Sequence, residues 1–150
     1  MLKQTDFCDT YWRHTKILHP NRAMLRSQHD RYLDKLIVTT NGSFDPLHIG
    51  HIGMLEEARR QGDALYVGVD SDESVADYKG VGRPRSSQYI RAAMVASLSC
   101  VDYVVLMKGG REDEPSLSLL GRVLPSIHVN SSEYGPPESW VEWPTMCKWK

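Results

Sequence analysis

From Lys35 onward the chain alternates short runs of β-branched and aliphatic residues with stretches whose apolar side chains recur every three or four positions. Residues 35–40 read as a buried strand. Residues 49–61 follow with helical spacing, placing Ile52, Leu55 and Ala58 on one side and Glu56, Glu57, Arg59 and Arg60 largely on the other. The same reading gives a strand at 64–69, a short helix at 72–78, a helix at 86–98, a strand at 102–106, a helix near 116–122, a strand at 126–130 and a helix after Pro137. Strands alternating with helices predict an α/β domain built on a doubly wound parallel sheet, with helices on both faces. Ligands of such sheets gather at the carboxyl ends of strands, near the reversal of strand order. His48 and Asp70 follow predicted strand ends, and Asn130 ends another.

Residues 1–34 lack one clean period and read as an N-terminal extension preceding a domain at 35–150. Leu25, Tyr32 and Leu33 mark part of an amphipathic helix ending near Asp34, expected to pack on the domain or on a second subunit of a homodimer. Neither internal repeats nor low-complexity segments stand out.

At 150 residues, 41% hydrophobic and 25% charged, the chain fits one globular domain. A net charge of −1 and a pI near 6.6 give no general field for nucleic acid or an anionic membrane, so any cationic chemistry is local, as in Lys79, Arg83, Arg85 and Arg91. Cys8, Cys100 and Cys147 are far apart and odd in number, which argues against a disulfide scaffold or a zinc knuckle and for a reducing cytoplasm. The first residues carry Lys3, Asp6, Asp9, Arg13 and Lys16, which break any apolar signal-peptide core, and no later run reaches membrane-spanning length.

The most informative chemistry lies in Thr40-Asn41-Gly42-Ser43-Phe44-Asp45-Pro46-Leu47-His48-Ile49-Gly50-His51, a turn between the first core strand and the helix after it. Two imidazoles three residues apart reach the helix N-terminus on one face, where unpaired N–H groups and the positive end of the helix dipole favour an anion. Gly50 leaves room for a ligand against the backbone. A shared metal is the rival reading of the pair, but only Asp45 stands near as a third ligand, so no metal site is expected.

This stretch resembles the signature of the nucleotidyltransferase superfamily named after its His-Ile-Gly-His motif, here spelled out literally after Gly-Ser-Phe-Asp. The likeness continues through Leu55-Glu56-Glu57-Ala58-Arg59, residues 62–69, Ser71-Asp72-Glu73-Ser74-Val75, Lys79-Gly80, Gly82-Arg83-Pro84, Arg91 and residues 101–105, and covers roughly residues 35 to 135. It is most similar to the adenylyltransferase domain of ADP-heptose synthases, with glycerol-3-phosphate cytidylyltransferase next.

The resemblance implies a Rossmann-like fold and transfer of a nucleoside monophosphate, AMP from ATP in preference to CMP from CTP, to a sugar phosphate such as heptose 1-phosphate, with release of pyrophosphate. A polyol phosphate is the rival acceptor. Mg²⁺ is expected with the triphosphate. His48, His51 and Lys79 are the implied catalytic residues. Asn41, Gly42, Ser43, Phe44, Gly50, Asp70 and Asn130 are the implied nucleotide contacts, and Asp45, Lys79, Arg83 and Arg91 the implied acceptor-phosphate contacts. Each has a structural alternative: Asp45 as a turn former, Ser71 or Asp72 as a helix cap beside Asp70, and Arg83 and Arg91 as salt bridges that pin the loop and the helix after it.

Two departures from the family pattern bear on the reading. Ser131, Ser132 and Glu133 stand where heptose-type relatives carry glycines and aspartates around the base pocket, and the last twenty residues hold no Ser-Thr-rich turn of the kind that holds the triphosphate. A truncated form, a rebuilt end or a nucleotide-binding module without turnover are the alternatives this opens. An aminoacyl-tRNA synthetase fragment is excluded by the lack of a Lys-Met-Ser-Lys-Ser segment and of a basic tRNA face.

Overall fold

The structure, a computed structural model, describes residues 16–107, 119–131, 135–140 and 143–147. Cys8, the start of the helix expected at 116–122 and the loop residues Ser132, Glu133 and Tyr134 lie outside the described residues.

Five parallel strands form one sheet in the order β1-β4-β3-β2-β5. They are β1 (Ile17–Leu18), β2 (Ile37–Gly42), β3 (Ala64–Val69), β4 (Tyr103–Leu106) and β5 (Ile127–His128). Among the described residues the helices are α1 (Pro20–Tyr32), α2 (Ile49–Arg60), α3 (Asp72–Lys79), α4 (Gln88–Ala96), α5 (Leu119–Val123) and α6 (Trp143–Cys147), with a 3₁₀ turn at Pro137–Ser139. The predicted Rossmann-like α/β architecture is the one observed. In register, Ile37 lies beside Ala64 and Gly42 beside Val69, while Val38 meets Ile127 on the other flank of β2. Strand order therefore reverses at β2, and the turn leaving β2 opens at the switch point.

Both sheet faces are covered, which is why the strands read as continuous apolar runs rather than alternating ones. On one face Val38, Leu65, Val67 and Val69 pack with Leu55 and Ala58 of α2 and Ala92 and Val95 of α4. On the other, Ile37, Ala64 and Tyr66 pack with Ala23 of α1 and Leu119 and Val123 of α5.

Residues 16–33, read from the sequence as an extension, supply a strand of this sheet and a helix packed on it. β1 pairs with β4, and the Lys16 ammonium donates to the carbonyls of Leu98 and Val101 just past α4. Helix α1 forms, but on the face opposite to the one expected. Its buried residues are Pro20, Ala23, Ser27 and Asp30, whereas Leu25, Tyr32 and Leu33 are 61%, 85% and 51% exposed. The reason is a polar anchor. The buried Asp30 carboxylate accepts from the Tyr66 hydroxyl at 2.6 Å and from Lys35 at 3.1 Å, with Arg26 at 3.4 Å, and this orients the helix more strongly than its large apolar side chains do.

Candidate active site

The turn between β2 and α2 is shaped by its own residues. Phe44 takes φ +48°, a left-handed conformation costly for a residue with a β-carbon, and burial of its ring to 1% exposure offsets that cost. The ring sits edge-on to His51, with centroids 5.1 Å apart. His48 is the N-cap of α2, and the first turn of that helix carries no acidic residue, so none of the helix's own side chains offsets its positive end.

His48 and His51 stack, ring centroids 3.7 Å apart and planes 28° apart. The His48 backbone N–H donates to His51 Nδ1 at 3.3 Å, which places the proton of a neutral His51 ring on Nε2 and makes that nitrogen a donor. Gly50 is needed beneath the stack, because a β-carbon there would lie 3.2 Å from two atoms of the His48 ring. Gly50→Ala is therefore expected to leave the melting temperature unchanged or raised, alanine favouring the helix by up to about 1 kcal/mol, while pyrophosphate release falls about tenfold as His48 is displaced. Thermal denaturation and turnover measured on one preparation check this, and parallel losses in both would point to misfolding instead.

Around the pair lies a cavity of about 350 Å³, lined by Asn41, Gly42, Ser43, Phe44, Asp45, His48, Gly50, His51, Lys79 and Asn130 among the residues expected from the sequence. Lys79, at the last turn of α3, crosses to the β2 turn and donates to Ser43 Oγ at 2.7 Å, which ties its side chain into the cavity that the imidazoles also line. Pro46, Met54 and Ser131 complete the lining. Met54 had a usable signal: it lies three residues after His51 on the same helix face.

Three expected site residues stand outside that lining. Asp70 is buried at the exit of β3, where its carboxylate accepts from the Tyr78 hydroxyl at 2.8 Å and its backbone N–H donates to the Gly42 carbonyl. Arg83 donates to the carbonyl and carboxylate of Asp45 at 2.8 and 2.9 Å. Arg91, expected beside the acceptor phosphate, is 1% exposed, and its guanidinium is committed to Ser86, Ser43, Asp70 and Asp72. Ser71 caps α3 through its hydroxyl, which accepts from the Ser74 N–H.

Asp45 joins the turn to the loop after α3, accepting from the N–H groups of Arg85 and Ser86 as well as from Arg83. Burial alone would raise its carboxyl, but these hydrogen bonds outweigh it and hold the group below its ordinary value. Both oxygens are engaged, and no group of three His, Cys, Asp or Glu among the described residues is arranged to hold a metal. Nor is any described helix long and apolar enough to cross a membrane.

A doubly wound parallel sheet whose switch-point turn delivers stacked imidazoles to a helix N-terminus, with a lysine from a neighbouring helix tied to that turn, has the architecture of a nucleotidyltransferase. The chain belongs to the cytidylyltransferase-like family, which its residues 39–116 match. It is 45% identical over 107 residues to "Bifunctional protein HldE" of Syntrophotalea carbinolica and 44% identical over 119 residues to the protein of that name from Pseudomonas aeruginosa. Those matches cover 71% and 79% of this chain but only 21% and 24% of the relatives, so the chain spans less than a quarter of their length. Among solved structures, the lipopolysaccharide core biosynthesis protein from Thermoplasma volcanium superposes with a TM-score of 0.64 at 26% identity, covering 76% of this chain and 88% of that one.

Proposed function

We propose that this domain transfers AMP from ATP to the phosphate of a sugar phosphate of the heptose 1-phosphate type. An acceptor phosphate oxygen attacks the α-phosphorus in line, the new P–O bond forms as the bond to the β-phosphate oxygen breaks, and pyrophosphate leaves. Such a reaction needs no protein nucleophile, only positioning and charge stabilisation. The observation that carries this reading is the stacked His48–His51 pair in the cavity at the start of α2, with Lys79 tied into the same cavity by Ser43. Relatives named for HldE and for lipopolysaccharide core biosynthesis support a sugar phosphate as acceptor.

In this reading Lys79 and the first-turn N–H groups of α2 meet the phosphates, and Asn130 and Ser131 stand at the β5 side for the nucleoside. Asp45 and Arg83 hold the wall on the acceptor side. Mg²⁺ is taken to accompany the triphosphate, as part of the substrate, shielding the charge of the leaving pyrophosphate. Incubation with ATP or CTP and either heptose 1-phosphate or glycerol 3-phosphate, following pyrophosphate, tests the assignment. ATP with the heptose phosphate is the pair expected to turn over. Turnover with CTP alone would make the enzyme a cytidylyltransferase, and no pyrophosphate from any pair would leave a binding module. A homodimer in the cytoplasm is the proposed setting.

Lys79→Ala is expected to slow turnover by about 100-fold with the fold intact, stability changing by no more than about 0.5 kcal/mol. Unchanged kinetics at subsaturating acceptor would place Lys79 outside the chemistry.

A further inference from the structure

We propose that Arg91 is a positioning residue: its buried guanidinium fixes the spacing between the His48–His51 turn and the helix that carries Lys79. This deepens the transfer reading and rests on it. Burying a guanidinium is strongly unfavourable unless its donors are matched. Here they are. Nε donates to the Ser86 carbonyl at 2.9 Å, Nη1 to the Ser43 carbonyl at 2.6 Å, and Nη2 to the Asp70 carbonyl at 2.8 Å and the Asp72 carboxylate at 2.7 Å. Only a planar fork of donors spans such a set, and a lysine ammonium does not.

The acceptors belong to four segments: the β2 turn, which lines the cavity, the exit of β3, the first residue of α3 and the loop that Asp45 grips from the other side. Ser43 is the shared point. Its carbonyl accepts from Arg91 while its hydroxyl accepts from Lys79. Helix α3 is thus held at its start by Arg91 through Asp72 and at its end by Lys79 through Ser43, and the two ties meet on one residue. Arg91 itself does not line the cavity. Its effect on chemistry is then exerted through where the Lys79 ammonium and the imidazoles stand relative to each other. Displacements of about 1 Å in such arrangements cost roughly 100-fold in rate.

The test is a double-mutant cycle on pyrophosphate release with Arg91→Lys, Lys79→Ala and the double variant, each normalised to the folded fraction by circular dichroism. Arg91→Lys is expected to lower kcat by about 30-fold, with KM for the triphosphate within about threefold. In the Lys79→Ala background the same change is expected to cost less than about threefold, because the group being positioned is gone. Equal losses in both backgrounds, or normal kcat in folded Arg91→Lys, would overturn the proposal.

Should Arg91→Lys fail to fold, Asp72→Asn, at a half-exposed partner, goes through the same cycle and is judged by the same outcomes. A wild-type protein that releases no pyrophosphate would count against the transfer reading alone. The positioning claim is then decided by the imidazole NMR resonances of His48 and His51 in the free protein. They are expected to shift in Arg91→Lys or Asp72→Asn, and unchanged resonances would overturn it.

Discussion

Replacement of His51 by alanine is expected to lower pyrophosphate release by about two to three orders of magnitude, and replacement of His48 by a comparable factor. Each change removes one preorganised donor to the phosphates, a loss typically worth roughly 3–4 kcal/mol in the transition state. The pair acts as a unit, since the His48 N–H fixes the His51 tautomer and the two rings stack. The double variant should therefore be little slower than either single one. Stability should move by no more than the loss of a cap, about 1 kcal/mol, because the apolar face of α2, with Leu55 and Ala58 fully buried, is untouched. Steady-state turnover beside thermal melts measures both quantities. Near wild-type rates in both single variants would sink the assignment of the cavity to nucleotidyl transfer.

Why was this pair legible from sequence when other parts of the site were not? The turn is contiguous, so one stretch of chain carries Asn41, Gly42, Ser43, Phe44, Asp45, His48, Gly50 and His51, and its chemistry could be read without knowing the fold. The core strands were legible for a similar reason: burial on both faces selects uninterrupted β-branched and aliphatic residues. Arg91 and Asp70 required the tertiary structure. Whether a long cation reaches a ligand or turns inward depends on carbonyls supplied by Ser43 and Ser86, far from it in sequence or hidden in a loop. Met54 was passed over for the opposite reason: its spacing from His51 places it on the same helix face, but an apolar residue on a helix reads first as core. The two-residue strand β1 is too short to carry any period. In α1 the residues facing the sheet are small or polar, and the large apolar ones point outward, so a pattern based on hydrophobicity selects the wrong side.

The polar anchor that reverses α1 gives the largest expected stability effect outside the site. Asp30→Ala removes a fully buried carboxylate and leaves the Tyr66 hydroxyl without its 2.6 Å acceptor and Lys35 and Arg26 without their counter-charge. Breaking such a set from one side costs about 3–5 kcal/mol, a large share of the roughly 5–15 kcal/mol that holds a domain together. Asp30→Asn keeps an amide oxygen as acceptor for Tyr66 and should cost roughly half as much. Burial tends to raise the Asp30 carboxyl, but the Tyr66 and Lys35 hydrogen bonds and the Arg26 charge prevail and hold it below its ordinary value of 3.8. A carboxylate depressed in the folded state contributes its full stabilisation above that ordinary value and loses it as pH falls through the lower, folded one. The wild-type protein should therefore lose stability as the pH drops below about 4, and Asp30→Asn should show a shallower slope there. Asp45, shifted in the same direction, keeps some slope in the variant. Urea denaturation at a series of acid pH values reads the difference, and identical slopes in wild type and Asp30→Asn would remove Asp30 from the anchor. None of Asp30, Tyr66, Lys35 and Arg26 lines the cavity, so turnover per folded molecule should stay at the wild-type level even as stability falls.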